Sequence, residues 1–132
     1  MKSKIVFHTL KMQIPVATGE IARYYSELMY IIYDAPYCRL HFADKSKYTV
    51  EVPLQYILDN LPESVFFLCN RSVILNICYY REYQISPAMV TMEDGKVFRL
   101  SRRKVNDFKR MKNKPDRISP PCPGSNTWKK EE

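Results

Sequence analysis

Two short stretches put groups capable of nucleic-acid chemistry at the edges of apolar elements. Phe66–Asn76 reads FFLCNRSVILN, and Leu100–Val105 reads LSRRKV. In the first, Asn70, Arg71 and Ser72 separate two apolar runs, so a loop or bulge there turns its side chains away from the core. In the second, Ser101 sits where the N-cap of a helix belongs, with Val105, Phe108 and Met111 spaced to face the core. Arg102, Arg103 and Lys104 then fall in the first turn of that helix. The dipole there disfavours each cation by roughly 0.3–1 kcal/mol, which points to an anion outside the protein as the compensating charge. Arginine forks onto guanine O6 and N7 or onto phosphate, and asparagine pairs with adenine N6 and N7. Each residue also has a structural alternative. The cations could extend into solvent or pair with Glu82, Glu93 or Asp94. Asn70 could bond its own turn backbone, and Arg71 could pair with Glu63 or Glu82.

The distribution of charge points the same way. Residues 99–117 hold nine basic and two acidic side chains, and the rest of the chain holds 12 of each. The whole net charge of +7 therefore sits in one segment, as expected where a protein meets a polyanion. A solubilising helix face with a basic tail would give the same count. Enzyme chemistry is poorly served: there is no paired-carboxylate signature, no nucleophile elbow and no phosphate-cradling loop, and the chain has only three glycines. Cys38, Cys69, Cys78 and Cys122 form no CxxC pair, and neither histidine lies at zinc-finger spacing, so no metal or cofactor is expected. The first three cysteines read as buried thiols, with a redox pair of Cys69 and Cys78 left open. No apolar run nears the ~20 residues of a membrane helix, and the N-terminus lacks a signal-peptide core, which suggests a cytoplasmic protein.

The elements that must position these groups are mostly strands. At 132 residues the chain suits one domain, and ten tyrosines and six phenylalanines favour pleated, half-buried surfaces. Met12–Thr18 reads as a strand ended by Gly19. Leu28–Tyr33 is apolar almost throughout, like a strand covered on both faces, and Asp34–Ala35–Pro36 turns the chain. Tyr37–Phe42 and Tyr48–Val52 alternate around a polar connection. Pro53 can open a helix in which Leu54, Ile57, Leu58 and Leu61 share a face, and Pro62 closes it. Further strands are expected over Val65–Cys69, Val73–Leu75, Tyr79–Ile85, Met89–Met92 and Val97–Leu100. Asp94–Gly95 suggests a type I′ hairpin, which needs positive φ at both central residues.

In order, the segments IPV (Ile14–Val16), MYIIYDA (Met29–Ala35), YCRLHF (Tyr37–Phe42), YTVEVPL (Tyr48–Leu54), FFLCNRSVILN and EDGKVFRLSRRKV resemble the LytTR family of bacterial DNA-binding domains. The most specific pieces are Arg71–Ser72 followed by an apolar triplet and Asn76, and Ser101 followed by Arg102 and Arg103. The resemblance implies a mainly β, elongated antiparallel fold with two short helices, whose loops enter successive major grooves of duplex DNA. Carried over residue by residue, it picks three contact regions. Tyr37 and Arg39 form the first, with Lys45 and Lys47 as phosphate contacts nearby. Asn70 and Arg71 form the second, and Arg102 and Arg103 the third. Arg103 is the foremost candidate for a base or phosphate contact, with Lys104 and Lys109 positioning the protein without reading sequence. The chain departs from the family pattern in having Leu68 where an arginine is common and Asn70 where a histidine is common. The turn before Tyr37 is also shorter, with Pro36 in it.

The expected organisation is an N-terminal extension over 1–11, the LytTR-like domain over 12–112, and a flexible proline-containing basic tail over 113–132 that includes Trp128. There is no room before Met12 for a receiver domain, so a stand-alone domain is expected. The partner implied is duplex DNA carrying paired, repeated elements, with a second copy of the chain on the DNA. Two alternatives remain open. One is a protein-interaction module of the same fold with weak or no specific DNA binding, pairing through a strand edge or through Tyr79, Tyr80 and Tyr83. The other is an RNA binder that stacks bases on exposed tyrosines.

Overall fold

The apolar run at Leu28–Asp34 becomes β4, the central strand of the molecule, and its two faces are buried in different cores. It lies in a five-stranded antiparallel sheet ordered β6-β5-β4-β8-β7, where β5 is Tyr37–Phe42, β6 Lys47–Val50, β7 Phe66–Asn70 and β8 Val73–Asn76. These elements belong to a computed structural model that describes residues 5–112. The first four residues of the expected N-terminal extension, and the expected tail with Cys122 and Trp128, lie outside the described residues.

Pleat alternation explains how one sheet serves two cores. Leu28, Ile31, Leu40, Phe42, Phe66 and Ile74 face one way. There they meet Met12 and Ile14 of a three-stranded sheet made of β1 (Val6–Phe7), β2 (Lys11–Val16) and β3 (Gly19–Tyr24). The helix α1, Leu54–Asn60, closes this core with Leu54 and Ile57. On the opposite face Tyr30, Phe67, Cys69, Val73 and Leu75 meet a second three-stranded sheet, ordered β11-β10-β9. Its strands are β9 (Tyr80–Ile85), β10 (Ala88–Met92) and β11 (Val97–Arg99). The helix α2, Val105–Lys112, adds Phe108, which is fully buried against Phe67, Tyr80 and Tyr83. The structure is mainly β, with three antiparallel sheets and two helices, as the sequence led one to expect.

Three local expectations change. The strand expected over Met12–Thr18 ends at Val16, and Gly19 does not close it but takes a φ of +143° and opens β3, pairing with Val16 across a two-residue turn. The turn at Asp94–Gly95 is not type I′, because only Gly95 has positive φ. Instead Gly95 N donates to Met92 O, Met92 N donates to Lys96 O and Lys96 N donates to the Asp94 carboxylate, giving a longer loop that ends in a left-handed residue. Ser101 holds the cap position, but its hydroxyl caps nothing. Arg102–Lys104 form a 3-10 turn ahead of α2, with Lys104 N donating to Ser101 O.

The loop at Phe42–Ser46 repeats the Met92–Lys96 loop bond for bond. Lys45 N donates to Phe42 O, Phe42 N to Ser46 O, and Ser46 N to the Asp44 carboxylate. Lys45, with φ of +77°, stands where the other loop has Gly95. This end of the molecule is bolted by Arg23, which is only 9% exposed. Its guanidinium lies 4.1 Å over the Phe42 ring and donates to Tyr48 Oη and Asp44 Oδ2, each at 3.1 Å, and to Glu27 at 3.3 Å. Burial works to lower the Arg23 pKa, and the Tyr48 and Asp44 contacts outweigh it, so the net shift is upward.

Candidate nucleic-acid interface

Because β4 and β5 pair Asp34 with Tyr37, and β4 and β8 pair Ile32 with Val73, the 34–37 turn and the 70–73 turn lie at the same end of the central sheet. Tyr33 N donates to Ser72 O across that end. The connection from β11 to α2 arrives at the same place, where Ser101 N donates to Cys69 O at 3.0 Å. Leu100 N also donates to Ala88 O, which brings in the β9–β10 turn at Ser86–Pro87. Tyr37, Arg39, Asn70, Arg71, Arg102 and Arg103 thus share one end of the molecule, although they span 66 positions of sequence.

Their chemical states differ. Arg71, Arg102 and Arg103 are exposed and have no ion-pair partner among the described residues; neither does Arg99, which the sequence reading did not single out. The alternation Val97-out, Phe98-in, Arg99-out could have marked it. Arg39 is exposed but pairs with Asp34 at 2.9 Å across its hairpin. Tyr37 is 45% exposed. Arg99 and Arg102 flank a cleft of about 760 Å³ that also meets Ile85, Ser86, Pro87 and Asn106 and has no acidic residue among the described residues that line it. That cleft suits a polyanion.

Asn70 takes the structural alternative. Its Oδ1 accepts from Ser72 N at 2.8 Å, and its Nδ2 donates to Arg99 O at 2.8 Å. Cys69, a free buried thiol, donates to the same carbonyl at 3.1 Å, and burial pushes its pKa up to about 12. Cys38 is also free and buried, whereas Cys78 is disulfide-bonded, so the expectation of three buried thiols holds for two. Asn76, the other asparagine of the motif, is 1% exposed and works similarly: it accepts from Cys78 N and donates to Leu28 O.

Lys45 and Lys47 do not lie near Tyr37. They sit at the far end of β5, about 17 Å away at the rise of a strand, because the chain reverses only after Phe42. There they line a cleft with Lys96, Glu93 and Asp94. Asp44 pairs with Arg23, and Asp94 accepts from Tyr30 Oη at 2.6 Å. Lys104 and Lys109 are half-buried in a cleft between α1 and α2 that also holds Asp59, Glu63 and Asp107. The tyrosines of the alternative readings are largely used in packing: Tyr79 is buried and donates to Ser26 O, and Tyr80 and Tyr83 pack edge-on against Phe108. No described helix is long and apolar enough to cross a membrane.

Comparison with known proteins places the fold and the family. A search of curated proteins returns no significant match. Among solved structures the chain is similar to the LytTr DNA-binding domain of a Bacillus cereus protein described as a methyl-accepting/DNA response regulator. The TM-score is 0.68 at 19% identity, over 80% of this chain and 99% of that one, which shows a common fold. The sequence profile of the LytTr DNA-binding domain matches residues 21–113. The chain belongs to the LytTR family of DNA-binding domains.

Proposed function

We propose that the chain is the DNA-binding part of a bacterial transcription regulator and reads duplex sequence with the arginine-bearing end of its sheets. The observation that carries this is the convergence of Arg71, Arg99, Arg102 and Arg103, all exposed and, among the described residues, without ion-pair partners and beside a cleft that no carboxylate lines. Unpaired guanidiniums placed together retain their forks for phosphate or guanine. The contacts come from turns and from a 3-10 turn at a helix entry, so successive grooves are met by loops rather than by one recognition helix.

In this reading Arg103 and Arg71 approach base edges, with Arg99 and Arg102 on the adjoining phosphates. Arg39 and Tyr37 extend the contact along the sheet edge. Lys104 and Lys109 lie to one side, where they add backbone attraction. Lys45 and Lys47 face away from the duplex. Two copies occupying paired, repeated elements would place two such ends along one face of the DNA.

Selection of random duplex DNA by the purified chain, run beside Arg103→Ala, tests the proposal. Wild type should enrich a short motif that the variant loses or relaxes at one position, since a bidentate arginine–guanine pair supplies about 1–3 kcal/mol of discrimination. Enrichment of nothing, with weak binding that Arg103→Ala leaves unchanged, would refute it.

A further inference from the structure

We infer that Asn70 is a positioning residue that locks two parts of the DNA-contacting end into one rigid unit; the inference rests on the DNA reading above. The β7–β8 turn carries Arg71 and the β11–α2 connection carries Arg102 and Arg103, and these belong to different sheets. Three hydrogen bonds join them. Asn70 Nδ2 donates to Arg99 O at 2.8 Å, Cys69 Sγ donates to the same oxygen at 3.1 Å, and Ser101 N donates to Cys69 O at 3.0 Å. A fourth, from Ser72 N to Asn70 Oδ1 at 2.8 Å, fixes the turn itself.

The partners also fix which way the amide points. A backbone N–H can only donate and a carbonyl can only accept, so oxygen must face Ser72 and nitrogen Arg99. Bidentate pairing with adenine needs both atoms turned outward together, and both are turned inward here. Asn70 therefore acts through its neighbours. It holds the spacing between Arg71 and the Arg102–Arg103 turn, so that neither segment has to be ordered when DNA arrives.

Two substitutions at Asn70 give a clean contrast. Asn70→Ala removes both bonds. Asn70→His supplies a ring N–H toward Arg99 O while removing the acceptor for Ser72. Amide hydrogen exchange in the free chain reads the tie without DNA. In Asn70→Ala the Ser72 and Ser101 amides should exchange about tenfold faster while those of β4 and β5 stay protected. On the selected duplex, Asn70→Ala should bind about tenfold more weakly with an unchanged base preference, and Asn70→His should recover part of that loss. The loss should also shrink when Arg103 is already alanine, because a positioning residue is coupled to the group it positions.

Relaxed preference at one base pair, with losses that simply multiply in the double variant, would make Asn70 a base reader and overturn the inference. Unchanged exchange at Ser72 and Ser101 would overturn it even if no motif were ever enriched. Failure of Arg103→Ala to affect binding would sink the DNA reading instead, and would leave the exchange result to decide the tie.

Discussion

The two ends of the central sheet carry similar numbers of basic side chains in different surroundings. At the lysine end, Lys45, Lys47 and Lys96 share a cleft with Glu93 and Asp94, and Asp44 is held by Arg23. At the arginine end, Arg71, Arg99, Arg102 and Arg103 have no ion-pair partners among the described residues, and what is hydrogen-bonded is the backbone beneath them. At the lysine end it is the buried Arg23 that uses its charge to hold the fold together, whereas at the arginine end Arg39 pairs with Asp34 and a hydrogen-bonded backbone carries four guanidiniums that stay available. A count of lysines and arginines does not distinguish them. Their partners do.

Breaking the lysine end should have the largest effect on stability. Arg23→Ala removes three hydrogen bonds and a cation–π contact from a buried site, so a loss of about 2–3 kcal/mol is expected. Thermal melting would show it as a drop of roughly 10 °C or more. DNA affinity, measured where the variant is still folded, should move by less than about twofold if the ends are independent.

Arg103→Ala should give the mirror result. Binding to a selected duplex should weaken by about 1–3 kcal/mol, with the melting temperature hardly changed, because an exposed unpaired side chain contributes little to folding. A large melting shift would mean that Arg103 is a structural residue after all.

The comparison sharpens at Lys45. Its left-handed φ of +77° suits glycine, which the twin loop has at Gly95. Lys45→Gly should raise stability by about 0.5–1 kcal/mol, the relieved strain partly offset by the greater freedom of glycine in the unfolded chain. It should leave the salt dependence of DNA binding unchanged. A phosphate contact at Lys45 would instead reduce the slope of log K against log salt by about 0.9.

The smallest effect is expected from pH, and it too belongs to the lysine end. Burial, and next the nearby Lys47, lower the pKa of His41, and its Nε2 is buried without a hydrogen-bond partner among the described residues. The unfolded chain therefore takes up a proton first, near the ordinary value of 6.5, so stability is full above that pH and declines as pH falls through it. The Asp44 carboxyl is held below its ordinary value by the Ser46 hydrogen bonds and, less, by Arg23, so a second loss follows on further acidification through the carboxylate range. Denaturant midpoints of wild type and His41→Gln across pH 4–8 check the order. If the first decline persists in the variant, His41 is not its source.

Much of the architecture was legible in residue order. The two-sided burial of Leu28–Tyr33, the Pro53–Pro62 bracket around α1, and the placement of Phe108 toward the core followed from periodicity and from the backbone limits of proline. The strand Gly19–Tyr24 did not, because its inward position is Arg23 where alternation leads one to expect an apolar side chain. The guanidinium is acceptable there only because Tyr48, Asp44 and Phe42 come from another sheet to meet it. The Asp94–Gly95 turn was misjudged because the dipeptide fixes where a chain reverses, whereas loop length and the Asp94–Lys96 bond fix how.

The candidate site divides along the same line. Sequence alone determined which residue types could meet a nucleic acid, that the excess charge sits in one segment, and which family the pattern resembles, since these depend on identity and order. Only the tertiary structure decided which of them meet. It joined the turn that carries Arg71 to the connection that carries Arg102, sent Lys45 and Lys47 to the opposite end of β5, and turned Asn70 inward onto Arg99 O. The reason is geometric: strand pairing joins residues far apart in the chain and separates near ones by the length of a strand, and a hydrogen-bonding side chain serves whichever partner the fold places within 3 Å of it.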